Sequence, residues 1–185
     1  MGKLIYTAIT SVDGYIADRA AEFGWAVPDD ELHAFVNDVI RPAGTFLYGR
    51  RMFEVMKVWE DPSFAEGGSA PVVDFSKLWR AAEKIVYSGT LGEVDTARTR
   101  LERRFDADAV RTLKASTTAD LGIGGAGLAA AAFAAGLVDE VHLFPAPVSV
   151  GGGTAALPEF RVNFELVGTQ RFTSGFAHLH YRVRN

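Results

Sequence analysis

Apolar positions along this chain recur with two periods, one near two residues and one near 3.6, and the two alternate from start to end. Residues 3–9 are an apolar run of strand length, and Asp13-Gly14 behind it is a turn signal between apolar flanks. After a loop carrying Trp25 and Pro28, Leu32, Phe35, Val36 and Val39 fall at helical spacing. They predict a helix through Ile40, with Asp29 or Asp30 as its N-cap and Pro42 as its stop. Residues 45–48 predict a short strand that turns at Gly49 directly into a helix over 49–54, with Arg50 and Arg51 in its first turn. A surface loop or flap is expected over 62–71, then a helical turn over 75–82, a strand over 84–87 and a turn over 88–90. Residues 98–105 alternate well enough for an exposed strand, although their charge also permits a helix, and 106–114 read as a helix capped by Asp106.

Four glycines, Gly122, Gly124, Gly125 and Gly127, then lead into an alanine-rich helix ending near Leu137 and a strand over 138–144. Two alternating strands, 164–172 and 176–183, close the chain around the turn 173–175. Strands interleaved with helices and finished by a hairpin predict one α/β domain over 1–185, with a mainly parallel central sheet flanked by helices and an antiparallel C-terminal hairpin. In such sheets ligands bind beyond the carboxyl ends of the strands. Gly49-Arg50-Arg51, Ser88-Gly89-Thr90 and Gly124 to Gly127 all fall at such ends, which points to one shared ligand.

The glycine segment reads as a phosphate cradle, because glycine allows close backbone approach and the free N–H groups of a helix start favour an anion. Gly122, Gly124 and Gly127 satisfy the G-x-G-x-x-G fingerprint of dinucleotide folds, but its context is missing. The motif lies two-thirds of the way along the chain, its preceding strand is short and contains Asp120, and Asp139 and Glu140 stand at the near end of the next strand rather than the far end. A tight helix-to-sheet packing role for the glycines is the simpler alternative.

Composition narrows the field. Of the 185 residues 48% are apolar, enough for one core, and a formal charge of −4 argues against a broad nucleic-acid surface. With no cysteine there is no disulfide or thiolate site, and the four histidines (His33, His142, His178, His180) lack zinc-ligand spacing with a third partner, so no metal is expected. His178 and His180 alternate on a strand and should share a solvent or ligand face. The longest apolar stretch, 128–137, is half of the ~20 residues that cross a bilayer, and the chain opens directly on a strand, so a cytoplasmic protein is expected.

In the order and spacing of these segments the chain resembles the dihydrofolate reductase superfamily, and within it the reductase domain of riboflavin biosynthesis (the RibD C-terminal domain) and its stand-alone relatives. The matching pieces are 3–9 with 11–17, 48–54, 84–88, 124–128, 136–143 and 147–153. The resemblance implies NADPH as cofactor, hydride transfer to a small-molecule substrate, and a homodimer. Its cofactor site would comprise Ala8, Gly49, Arg50, Arg51, Ser88, Thr90, Gly124, Gly125, Ala126, Gly127 and Leu128, with the pyrophosphate between the helix starts after Gly49 and Gly124. Arg50 and Arg51 would neutralise phosphate, and Ser88 and Thr90 would donate near the ribose. Residues 25–30 resemble the stretch that presents the pterin-binding acid of folate reductases, which makes Asp30 a catalytic candidate and Asp13, in the loop bordering the nicotinamide, a second. Helix capping and turn formation are the plain alternatives for these two. Met52 departs from the threonine that folate reductases carry after Gly-Arg. An NADPH-dependent reductase of a heterocyclic or ribosyl-pyrimidine-type substrate is therefore expected, with folate reduction or a non-catalytic nucleotide sensor as alternatives. Phe172, Phe176 and Tyr181 could fill the core or a dimer interface.

Overall fold

The computed structural model of the chain describes residues 1–184. Its strands are β1 (Leu4–Ser11), β2 (Tyr15–Ala17), β3 (Ala43–Gly49), β4 (Glu83–Tyr87), β5 (Thr99–Glu102), β6 (Asp120–Gly124), β7 (Glu140–Ala146), β8 (Thr154–Ala155), β9 (Asn163–Arg171) and β10 (Ala177–Arg184). Its helices are α1 (Asp30–Ile40), α2 (Arg50–Met56), α3 (Ala70–Ala81), α4 (Ala107–Ser116) and α5 (Ala126–Ala134). Eight strands form one sheet in the order β5-β4-β3-β6-β1-β7-β10-β9, and β2 pairs with β8 beside it. The first six strands of that order run parallel, and β10 joins antiparallel between β7 and β9. This is the expected mainly parallel sheet with its C-terminal antiparallel hairpin.

Both faces of the sheet are covered, which is why its central strands are apolar on both sides. On one face α4 and α5 bury Val110, Ala129, Ala132 and Phe133 against Leu4, Tyr6, Leu121, Ile123 and Val141. On the other, α2 and α3 pack Phe53 and Trp79 on Phe46, Tyr48 and Val86, while α1 seats Leu32 against Phe144, Phe172 and Phe176. Phe172 and Phe176 are thus core residues rather than a free interface. Capping follows the sequence where it was legible: Asp29, not Asp30, caps α1 through Leu32 N–H at 2.9 Å, and Asp106 caps α4.

Two expectations shift. The helix expected from 75 begins at Ala70, inside the expected loop, because Pro71 sits in the first turn where its fixed φ suits a helix start. The charged stretch 98–105 resolves as the edge strand β5, parallel to β4. Acidic residues that troubled the dinucleotide-fold reading tie the sheet's amino end instead. Asp139 accepts from Leu4 N–H at 2.7 Å and pairs with Lys114 at 2.6 Å, and Asp120 accepts from Lys3 N–H at 2.9 Å.

Candidate active site

β6 is short, and its last partner on β1 is Tyr6, opposite Ile123, whereas β1 runs on to Ser11. The sheet therefore opens at its carboxyl edge, and half-buried Ala8 lies on that opening. Beyond the neighbouring strand ends lies an open cleft of about 280 Å³, lined by Gly49, Tyr87, Ser88, Gly89, Arg103, Arg104, Phe105, Gly127, Leu128 and Ala131. Residues from all three of the strand ends singled out in the sequence meet in this one hollow. A larger hollow of about 400 Å³ under Pro62 to Gly67 contains none of them and lies against α3.

The four glycines do different work. A Cβ on Gly122 would stand 2.5 Å from the Phe46 ring across the β3–β6 pair, and one on Gly124 would press on Tyr48 at 3.0 Å and Met52 at 3.2 Å. Those two are packing glycines. Gly125 precedes α5 with φ +94°, a backbone that side chains rarely adopt, and Met52 Cβ would be 3.3 Å away. Gly127 alone faces open space, with nothing within 4 Å of a Cβ, in the first turn of α5 and in the wall of the cleft. The simple packing account thus explains two of the four glycines, and the cradle is made by Gly125, Ala126 and Gly127. Such a cradle fits a phosphate group: the first N–H groups of α5 have no helical partner, and the space beside Gly127 is open.

Ser88 is buried, and its hydroxyl oxygen accepts from the N–H groups of Thr90 (3.3 Å) and Leu91 (3.0 Å), which leaves its proton free to donate. Thr90 is exposed on the same turn. Arg50 and Arg51 occupy the first turn of α2 after the cleft residue Gly49; Arg50 pairs loosely with Glu54 at 3.9 Å. The cations lining the cleft are instead Arg103 and Arg104, which sequence reasoning missed. Arg103 donates to the Leu91 and Gly92 carbonyls and so fastens the turn that carries Ser88, while Arg104 is exposed. Their signal was present: had 98–105 been read firmly as a strand, both would have stood at a fourth strand end.

The two carboxylate candidates are placed apart from this hollow. Asp13 accepts from Ser149 Oγ at 3.0 Å, Val150 N–H at 3.1 Å and Gly151 N–H at 2.7 Å, and so pins the β1–β2 turn to the 149–151 loop. The Ser11 hydroxyl, foremost, and these donors hold its carboxyl well below the usual carboxylate range. Such a group stays ionised and fixes loops. Asp30 is exposed in the first turn of α1 and accepts from Ser69 Oγ at 2.6 Å. Close by in sequence, the indole N–H of Trp25 is buried and has no partner among the described residues.

The RibD C-terminal domain family matches residues 2–178. A relative, the uncharacterized protein YyaP of Bacillus subtilis (strain 168), is 27% identical over 186 residues that cover 97% of this chain and 94% of that protein. A putative riboflavin biosynthesis protein from Shewanella sp. PV-4 superposes with a TM-score of 0.75 at 20% identity, covering 99% of each chain. Dihydrofolate reductase from Enterococcus faecalis, solved with NADP(H) and RAB-propyl, superposes at 0.64 and 14% identity over 100% of this chain and 98% of that one. The fold is therefore dihydrofolate reductase-like, and family and fold together support oxidoreductase as the general class. No helix among the described residues is long and apolar enough to cross a membrane. A family match that begins at Gly2, runs through β9 and ends at the start of β10 covers nearly all of the sheet and the glycine segment: this chain belongs to the RibD C-terminal domain family.

Proposed function

We propose that this protein is an NADPH-dependent reductase that delivers hydride to a small heterocyclic or ribosyl-pyrimidine-type molecule. The observation that carries the reading is the meeting of Gly49, Ser88, Gly127 and Arg104 in one cleft at the carboxyl edge of a parallel sheet. Bound NADPH would supply the hydride. The chain's own residues do the rest. Gly125 to Gly127 present backbone N–H groups to the pyrophosphate, and the Ser88 hydroxyl and Thr90 donate toward the adenosine ribose. Arg104, with Arg50 and Arg51, supplies the charge that a 2′-phosphate requires. Ala8, at the opening between β1 and β6, leaves room for a flat ring against the β1 backbone. Of the two carboxylates, Asp30 is the one free to pass a proton, being exposed with a single Ser69 hydroxyl donor, since Asp13 is committed to loop fixing.

Titration of the protein with NADPH, read by nicotinamide fluorescence, tests the reading, with NADH alongside and the Arg50→Ala, Arg51→Ala and Arg104→Ala variants as controls. Saturable binding, stronger for NADPH and weakened in the variants, supports it and opens a substrate screen from pyrimidine ribosides to dihydrofolate. Absence of binding to either nucleotide would overturn it. Binding without turnover of any substrate, unchanged in Asp30→Asn, would favour a nucleotide sensor.

A further inference from the structure

Away from the cleft, on the α1 face of the sheet, the strands β7 and β10 gather three of the chain's four histidines. Register places His180 opposite His142, and the period of two puts Glu140 and His178 on the same face. Nothing in the cofactor reading uses these groups. Sequence spacing concealed them because the third partner is a carboxylate two residues from one histidine and across the ladder from the other.

We propose that Glu140, His142 and His180 form a binding site for one divalent transition-metal ion of the zinc class. One ligand atom from each of the three lies within 4.8 Å of the others. Glu140 Oε2 is 3.1 Å from His180 Nε2 and 4.0 Å from His142 Nε2. Tetrahedral ligands at ~2.0–2.1 Å from zinc sit about 3.4 Å apart, so these separations bracket the required one. A cation would replace the proton that His180 shares with Glu140 and would occupy the gap that His142 Nε2 leaves too wide for a hydrogen bond.

The surroundings orient these atoms as a metal site requires. His142 Nδ1 lies 2.9 Å from His178 Nε2, so a proton on Nδ1 donated to His178 leaves the His142 Nε2 lone pair, 4.0 Å from Glu140 Oε2, free to bind a cation. His178 is itself fixed against the rings of Phe35 and Phe144, each with its centroid 4.8 Å away. Glu140 Oε1 is held by Lys3 Nζ at 2.8 Å, which directs Oε2 toward the histidines. The three ligand side chains are 9 to 22% exposed, sheltered yet open to an entering ion and to water as a fourth ligand. Two neutral imidazoles and one carboxylate, partly offset by Lys3, suit a borderline cation better than calcium or magnesium.

The test uses tag-free, chelator-treated protein, with Co²⁺ read by visible absorption and Zn²⁺ by calorimetry. The expected result is one equivalent per chain at micromolar affinity or tighter, with affinity falling by about 100-fold in His180→Ala. His180 is only half-buried, so a thermal melt should show that variant folded. No stoichiometric binding below about 100 µM, or equal affinity in wild type and His180→Ala, would overturn the proposal.

Discussion

Gly127→Ala separates the two meanings of a glycine in the cradle. A methyl group there meets nothing within 4 Å, and the residue is helical, in the first turn of α5. Alanine in a helix is favoured over glycine by roughly 0.5–1 kcal/mol, less in a first turn, so the melting temperature should rise by about 1–2 °C for a chain of this size. The same methyl group projects at the cleft wall where phosphate must approach the backbone closely. A tenfold loss of NADPH affinity, about 1.4 kcal/mol, is expected for Ala and more for Val. Gly125→Ala is the contrast: with φ +94° and Met52 Cβ at 3.3 Å, it should destabilise the fold by more than about 1 kcal/mol. Differential scanning fluorimetry and nicotinamide fluorescence read both quantities on one sample. If Gly127→Val melts like wild type and binds NADPH as well as wild type, the cradle does not hold the cofactor and the reasoning fails.

Other outcomes follow from the same structure. Burial lowers His142 and His178 from about 6.5 to about 4, so the stability carried by their neutral forms is complete above pH 6.5 and drains away as pH falls toward 4. Each could contribute about 2 kcal/mol between about pH 7.5 and pH 5, and partial solvent access halves that, giving roughly 2 kcal/mol for the pair by urea melts. His178→Phe, packed against Phe35 and Phe144, should flatten that slope; an unchanged slope would exclude the His178 imidazole as a source of it. Arg104→Ala should narrow the preference for NADPH over NADH by about tenfold while leaving NADH binding nearly unchanged, and equal loss for both would place the residue elsewhere. Gly122→Ala, which drives a Cβ to 2.5 Å from Phe46, should cost about 1–3 kcal/mol in urea melts without selectively altering cofactor affinity.

Much of the fold was legible because its signals are local. The period-two and period-3.6 runs gave β1, α1, β3, β9 and β10 to within a few residues, and the glycine segment announced the turn into α5. What stayed hidden depends on partners distant in sequence. β2 and β8 are too short to show a period, and they exist because Tyr15 and Ala17 are brought opposite Ala155 and Thr154 from a distant part of the chain. Arg103 and Arg104 were obscured because β5 is an exposed edge strand whose charged residues also suit a helix. Asp13 shows the limit in the other direction: an Asp-Gly pair signals a turn, but not that its carboxylate is claimed by residues more than 130 positions away. The histidine and glutamate cluster needs both the β7–β10 pairing and its register, which no spacing along the chain reveals.

The most direct test of the central claim is a crystal structure of the protein grown with NADP⁺. The account predicts the pyrophosphate against Gly125 to Gly127, the adenosine ribose beside Ser88 and a guanidinium of Arg104 near the 2′-phosphate, with the nicotinamide reaching the opening at Ala8. A nucleotide seated in the hollow beneath residues 62–67, or a cleft left empty at saturating NADP⁺, would contradict it.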